Sequence, residues 1–141
     1  MKVLNRKNDI IQINKYLTIF PVTAILGPRQ CGKTFLAKRI TYNHYFDLEN
    51  PRDQTRLANP QLALESLTGT IVVDEIQRVP NLFNIIRYLI DQQRQQKYLI
   101  LGSASRELMR QSSESLAGRI GYYYLTGFST ADSDNLNRLW L

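Results

Sequence analysis

The eight residues Gly27-Pro28-Arg29-Gln30-Cys31-Gly32-Lys33-Thr34 satisfy every fixed position of the pattern G-x-x-x-x-G-K-[ST]. Each residue type suits the capture of a phosphate chain. Gly27 lets the backbone leave a strand sharply, and Gly32 places no Cβ between backbone N–H groups and phosphate oxygens. A helix opening at Lys33 turns its partial positive charge toward the anion. The Lys33 ammonium adds a full charge for the β- and γ-phosphates, and the Thr34 hydroxyl is a ligand for magnesium. The whole run from Gly27 to Thr34, including Pro28, Arg29, Gln30 and Cys31, is therefore the expected nucleotide-binding loop. Cys31 reads as a small residue in a tight loop; the other reading is a thiolate stabilised by the helix N-terminus and open to redox control. Arg29 is either a contact to phosphate or to a neighbouring subunit, or a solvated side chain.

A second cluster lies at Ile71-Val72-Val73-Asp74-Glu75, an apolar run ending in two carboxylates. Asp74 at the strand tip is expected to hold the magnesium shell opposite Thr34. Glu75 is expected to act as base toward the water that attacks the γ-phosphate. Adjacent carboxylates repel unless a cation lies between them, and a magnesium triphosphate supplies that cation. The fourth strand of such a sheet should end in a polar group facing the γ-phosphate. Leu101 is apolar, so the role falls to Ser103 or Ser105, unless Ser103 only turns the chain and Ser105 only caps the next helix. Arg119 is a candidate for stabilising charge on the transferred phosphoryl group, in its own site or a neighbour's; otherwise it is a solvated arginine. The expected catalytic set is thus Lys33, Glu75, Ser103 and Arg119, with Thr34 and Asp74 on the metal.

The elements that must position these groups follow from periodicity. Asp9 to Leu17 reads as a helix with Ile10, Ile13 and Leu17 on one face and Asp9 as a candidate cap. Strands are expected at Val22–Leu26, Tyr45–Leu48, Thr70–Asp74, Lys97–Leu101 and Ile120–Leu125. A helix begins at Lys33, with Phe35, Leu36, Ala37 and Ile40. Asn50-Pro51 and Asn59-Pro60 each pair a cap with a proline at the first helical position. Pro80 opens a longer helix. Ser105 caps a helix through Arg110, and Ser113 to Ala117 forms another piece closed by Gly118. Tyr122, Tyr123 and Tyr124 suit core packing on one strand face better than a stacking platform. His44, the single histidine, reads as a loop residue without metal-ligand spacing.

Five strands alternating with helices imply an α/β fold: a parallel sheet covered on both faces. A glutamate directly after the magnesium aspartate belongs to P-loop ATPases with an extra strand between the loop strand and the acidic strand. Tyr45–Leu48 supplies that strand, which sets the expected order 5-1-4-3-2 for a three-layer P-loop NTPase sheet. At 141 residues there is room for one domain. The expected division is a helical lead-in over 1–20, the ATPase core over 21–126, and the start of a truncated C-terminal region over 127–141. One cysteine excludes an internal disulfide and fits a reducing, cytoplasmic setting. No apolar run approaches a membrane span. The net charge is +6, but the basic residues are scattered; charge alone leaves nucleic acid open as a partner.

Gly27 to Thr34, Tyr45-Phe46-Asp47-Leu48, Val73 to Pro80, Leu101-Gly102-Ser103-Ala104-Ser105 and Glu114 to Arg119 together resemble the prokaryotic AAA+-like ATPases that carry a DUF4143 C-terminal region. The resemblance runs from about Phe20 to the end. It implies an ATP-binding core with Lys33, Thr34, Asp74 and Glu75 in the roles above, ATP and magnesium as ligands, and a protein or nucleic-acid partner met through the missing C-terminal region. A homo-oligomer is a further expectation. Many members place threonine where Leu101 stands, and members are much longer. The leading expectation is a magnesium-dependent ATPase. The alternative is a nucleotide-dependent switch that binds protein or DNA and hydrolyses weakly or not at all. A small-molecule kinase fits less well, because such enzymes usually lack the Asp-Glu pair. No guanine-reading signature is present, which favours ATP by absence.

Overall fold

The computed structural model describes residues 6–28, 31–92 and 95–125. Expectations for Arg29, Gln30 and the segment 127–141 lie outside the described residues.

Strands β1 (Val22–Leu26), β2 (His44–Asp47), β3 (Gly69–Asp74), β4 (Gln96–Gly102) and β5 (Ile120–Tyr124) form one parallel sheet in the order β2-β3-β4-β1-β5. This is the order expected from sequence. Every residue of β1 is buried. A strand buried on both faces needs an unbroken apolar or β-branched run, and Val22 to Leu26 provides one.

Side chains alternate between the two faces of the sheet and define two cores. On one face Val22, Ala24, Ile71, Val73, Tyr98 and Ile100 share a core with helices α4 (Pro60–Glu65), α5 (Leu82–Asp91) and α6 (Arg106–Leu116), and with Leu57 at the C-cap of α3 (Pro51–Arg56). On the other, Ile25, Val72, Leu99 and Leu101 meet Ile13 of α1 (Lys7–Ile19) and Leu36 and Ala37 of α2 (Lys33–Ala37). Helix α5 buries Leu82, Phe83, Ile86 and Leu89. Each such side chain contributes roughly 1.5–3 kcal/mol of transfer free energy.

Several local expectations are revised. Asp9 does not cap α1; Arg6 occupies that position, and Asp9 in the first turn accepts hydrogen bonds from Arg6 and from the Tyr123 hydroxyl. Asn50 caps α3 through the Arg52 N–H, but Asn59 makes no such bond at α4. Pro80 does not open α5. A 3-10 turn, Ile76–Arg78, comes first, and the helix starts two residues after the proline. The two expected pieces after Ser105 are one helix, α6. Gln111 and Ser112 do not break it, because the Ser112 hydroxyl is turned back onto the Met109 carbonyl and the Tyr122 phenol. His44 belongs to β2 and pairs with Ile71. Tyr122 and Tyr123 each anchor a helix, whereas Tyr124 is 58% exposed.

Candidate functional site

All five strands are parallel, so their C-terminal ends share one edge of the sheet. The register aligns Asp47 with Asp74, Asp74 with Leu101, and Leu26 with Gly102. The loop after β1 therefore leaves the sheet at the same edge as the two acidic strand tips, with β4 between β1 and Asp74. A cleft of about 570 Å³ opens there, lined by Gly32, Lys33, Thr34, Phe35, Asp47, Glu49, Asp74 and Glu75.

Gly27 is required by close approach. A Cβ there would collide with the Leu125 carbonyl oxygen and lie 2.8 Å from Cys31 Sγ. Gly32 caps α2 with φ 96°, a left-handed conformation that costs glycine little. Lys33 folds back across the loop. Its Nζ donates to the carbonyl oxygens of Gly27 (2.7 Å) and Pro28 (2.8 Å), and only 8% of the residue is exposed. Cys31 is buried in the core cluster of α1 and α2, as its small size allows. From the N-cap position of α1, Arg6 Nη2 donates to the Cys31 carbonyl at 3.2 Å. The lead-in helix thus touches the phosphate loop, which no short motif could reveal.

Thr34 Oγ1 donates to Asp74 Oδ2 at 2.7 Å, and Tyr45 Oη donates to the same oxygen at 2.7 Å. Burial pushes the Asp74 carboxyl above its ordinary range. The two donors oppose this, and the charges of Asp47 and Glu75 add to it. Burial and the Asp74 bond likewise hold the Tyr45 phenol protonated far above its ordinary value. Sequence reading passed over Tyr45. The available signal is its place two residues before Asp47, on the same strand face, with Phe46 directed to the core between them.

Hydroxyl and carboxylate oxygens suit a hard cation. Among the described residues no three His, Cys, Asp or Glu side chains converge to hold a metal by themselves. Magnesium is usually held by one or two carboxylates together with substrate phosphates, so the pair Thr34 and Asp74 fits it. A cation here would also offset the charges of Asp47 and Glu75, which add to the effect of burial on Asp74.

Glu75 adopts φ 61° and ψ 46°, and it is the one non-glycine residue with positive φ among the described residues. Such a conformation costs on the order of 1–3 kcal/mol and persists only where the surroundings enforce it. Its carboxylate accepts from Gln77 Nε2 at 3.0 Å.

The remaining candidates divide. Ser103 follows the end of β4, on the same sheet edge as Asp74 and Gly27, and is half-buried. Ser105 is a helix cap, accepting from the Leu108 N–H. Leu101 is fully buried in the core against α1 and α2. Arg119 is not brought to its own chain's cleft. It precedes β5 and so lies at the opposite sheet edge, about 15 Å of strand away. There it grips Asp91 through two bonds, Nε at 2.8 Å and Nη2 at 3.1 Å.

The sequence pattern of the AAA domain matches residues 20–133. Two uncharacterized proteins, from Mycobacterium bovis and Mycobacterium tuberculosis, are each 43% identical across 99% of this chain. The chain spans 33% of the length of either. Among solved structures, the Walker-type ATPase of Pyrococcus abyssi superposes with a TM-score of 0.65 at 18% identity, covering 96% of this chain and 57% of that one. A signal transduction ATPase with numerous domains and a tetratricopeptide repeat sensor, from Pyrococcus horikoshii, superposes with a TM-score of 0.53 at 15% identity. It covers 98% of this chain and 25% of its own. At these identities the two structures are similar in fold alone. No helix among the described residues is long and apolar enough to cross a membrane.

Proposed function

The chain belongs to the AAA domain family, and from that premise we propose that it binds ATP with magnesium and hydrolyses the γ-phosphate bond. The observation that carries this reading is the Thr34 hydroxyl resting 2.7 Å from the Asp74 carboxylate at the mouth of the Lys33 loop. These are a metal-binding hydroxyl, its carboxylate partner and a buried ammonium on one sheet edge.

In this reading Lys33 exchanges the Gly27 and Pro28 carbonyls for β- and γ-phosphate oxygens. Thr34 and Asp74 would hold magnesium, which when bound would offset the negative charge of the phosphates. Glu75 orients a water and takes its proton as the water oxygen bonds to phosphorus. The bond from phosphorus to the β-bridging oxygen breaks, giving ADP and inorganic phosphate. Ser103 stands at the end of β4 as a candidate contact to the γ-phosphate. Arg119, held by Asp91 away from its own cleft, is proposed to act on a neighbouring copy. The mycobacterial relatives are three times as long, and we propose that a further region, of the DUF4143 type, meets a protein or nucleic-acid partner. A reducing, cytoplasmic setting would keep Cys31 a thiol.

The test is thermal melting with and without Mg-ATP, with phosphate release followed in the same sample. A rise in melting temperature with release is expected. Glu75→Gln should keep the rise and lower release by about 10²-fold or more. Unchanged turnover in Glu75→Gln would refute the assignment of the base.

A second reading is favoured by the burial of Leu101 and the distance of Arg119, neither of which offers a polar or cationic group to the cleft. It is a nucleotide-dependent switch for a protein or DNA partner. It predicts the rise in melting temperature without release above background.

A further inference from the structure

Gln77 lies two residues beyond Glu75, in the 3-10 turn that the fully buried Ile76 pins to the core. Its side chain spans two parts of the site. One end, Nε2, donates to Glu75 Oε2 at 3.0 Å. A carboxylate can only accept, so the amide orientation is dictated and Oε1 must face away from Glu75. That Oε1 is buried with no hydrogen-bond partner among the described residues. It lies over the last residue of β4: a Cβ built on Gly102 would be 3.0 Å from it. Gly102 in turn accepts from the Gly27 N–H at the start of the phosphate loop, at 3.3 Å.

Three facts converge on this amide. Glu75 sits in a strained left-handed conformation that some contact must support. The end of β4 carries no polar side chain at Leu101, which is committed to the core. A buried amide oxygen is left without a partner between the two, and such an atom in a native site calls for a functional account. Gly102 has no side chain, so the amide can reach the strand end.

We infer that Gln77 is the positioning residue for Glu75. Nε2 holds the carboxylate toward the cleft. The inference rests on the reading of Glu75 as general base.

The experiment measures phosphate release from Mg-ATP for the wild-type chain, Gln77→Leu, Gln77→Glu, Glu75→Gln and the double variant Glu75→Gln/Gln77→Leu. Melting with Mg-ATP is recorded for each. Loss of a hydrogen bond to a charged group corresponds to a fall in kcat of about ten- to a hundredfold for Gln77→Leu. KM for ATP should move by less than about threefold, because ground-state binding is untouched. Gln77→Glu keeps the shape but loses the donor, and should be equally slow. All variants should keep the Mg-ATP melting shift. A residue that acts only through Glu75 adds nothing once Glu75 is gone, so the double variant should be no slower than Glu75→Gln. The inference is overturned if Gln77→Leu turns over at or above the wild-type rate while Glu75→Gln is slow, if Gln77→Glu is as fast as wild type, or if the two losses multiply in the double variant. Glu75→Gln turning over like wild type would overturn the underlying reading, and this inference with it.

Discussion

Replacing Lys33 by methionine tests the anion site with little change of volume. Lys33 is a buried residue whose ammonium donates to two neutral carbonyl oxygens and, at 3.9 Å, to Cys31 Sγ. Removing it gives up two charge-assisted bonds of roughly 1.5–3 kcal/mol each. It also relieves the several kcal/mol that burying a cation costs. These oppose each other, so the ligand-free stability should change by no more than about 1 kcal/mol. With nucleotide there is no such cancellation. Removing one member of a buried charge pair costs about 2–5 kcal/mol of binding. At about 3 kcal/mol, ATP affinity falls by more than a hundredfold, roughly 160-fold. Ligand at 100 times the wild-type dissociation constant stabilises the folded state by about 2.7 kcal/mol. In the variant the same concentration stabilises by only about 0.3 kcal/mol. For a domain of this size about 1 kcal/mol moves the melting temperature by roughly 4 °C. The expected Mg-ATP shift is therefore about 10 °C in the wild type and about 1 °C in Lys33→Met. Scanning fluorimetry over a range of nucleotide concentrations measures both. A variant that kept more than half of the wild-type shift would refute Lys33 as a phosphate ligand. A ligand-free melting temperature lowered by more than about 10 °C would show that the ammonium is chiefly a strut for the loop.

Further outcomes follow from the same contacts. The folded-state pKa of Asp74 is raised, chiefly by burial, so the folded form holds its proton at a higher pH than the unfolded chain. Ligand-free stability contributed by this group should fall as pH rises from the ordinary carboxylate value through the raised one, while Mg-ATP binding, which needs the carboxylate, should weaken as pH falls through the same window. Tyr45→Phe removes a donor that holds Asp74 down, and the acid limb of binding should move to higher pH; a limb that stays in place would rule the phenol out. Arg119→Ala should leave phosphate release by the isolated chain unchanged and cost a little stability that added salt removes, since its partner Asp91 lies at the far sheet edge. A large loss of turnover in dilute, monomeric chain would contradict that placement. Gly27→Ala should destabilise the fold by about 1–3 kcal/mol in urea titration, because the new methyl meets the Leu125 carbonyl oxygen.

The sequence by itself determined the sheet, the phosphate loop and the pair of acidic strand tips. Those features are written in local patterns: apolar β-branched runs at Val22–Leu26 and Ile71–Asp74, glycines at the loop, prolines at helix starts. The strand order followed from the position of Glu75 after Asp74 together with the strand inserted before it. Local patterning was weaker at helix ends: α5 starts at Leu82 with no side-chain cap, after the 3-10 turn and Pro80, and the Gln111-Ser112 step is held in α6 by Ser112 bonds to Met109 and Tyr122. Only the tertiary structure decided which side chains meet. Tyr45 and Asp74 stand 29 positions apart, and Arg6 and Cys31 stand 25 apart. Each pair meets because sheet register or helix packing closes a long loop, and short-range spacing carries no record of that closure. Gln77 was in plain view in sequence, but its role depends on an amide that reaches Glu75 on one side and Gly102 on the other. Arg119 shows the reverse case. A residue that precedes a strand of a parallel sheet lies at the edge away from the loops that follow the strands. Its chemistry suited the phosphate, but the direction of the chain placed it with Asp91.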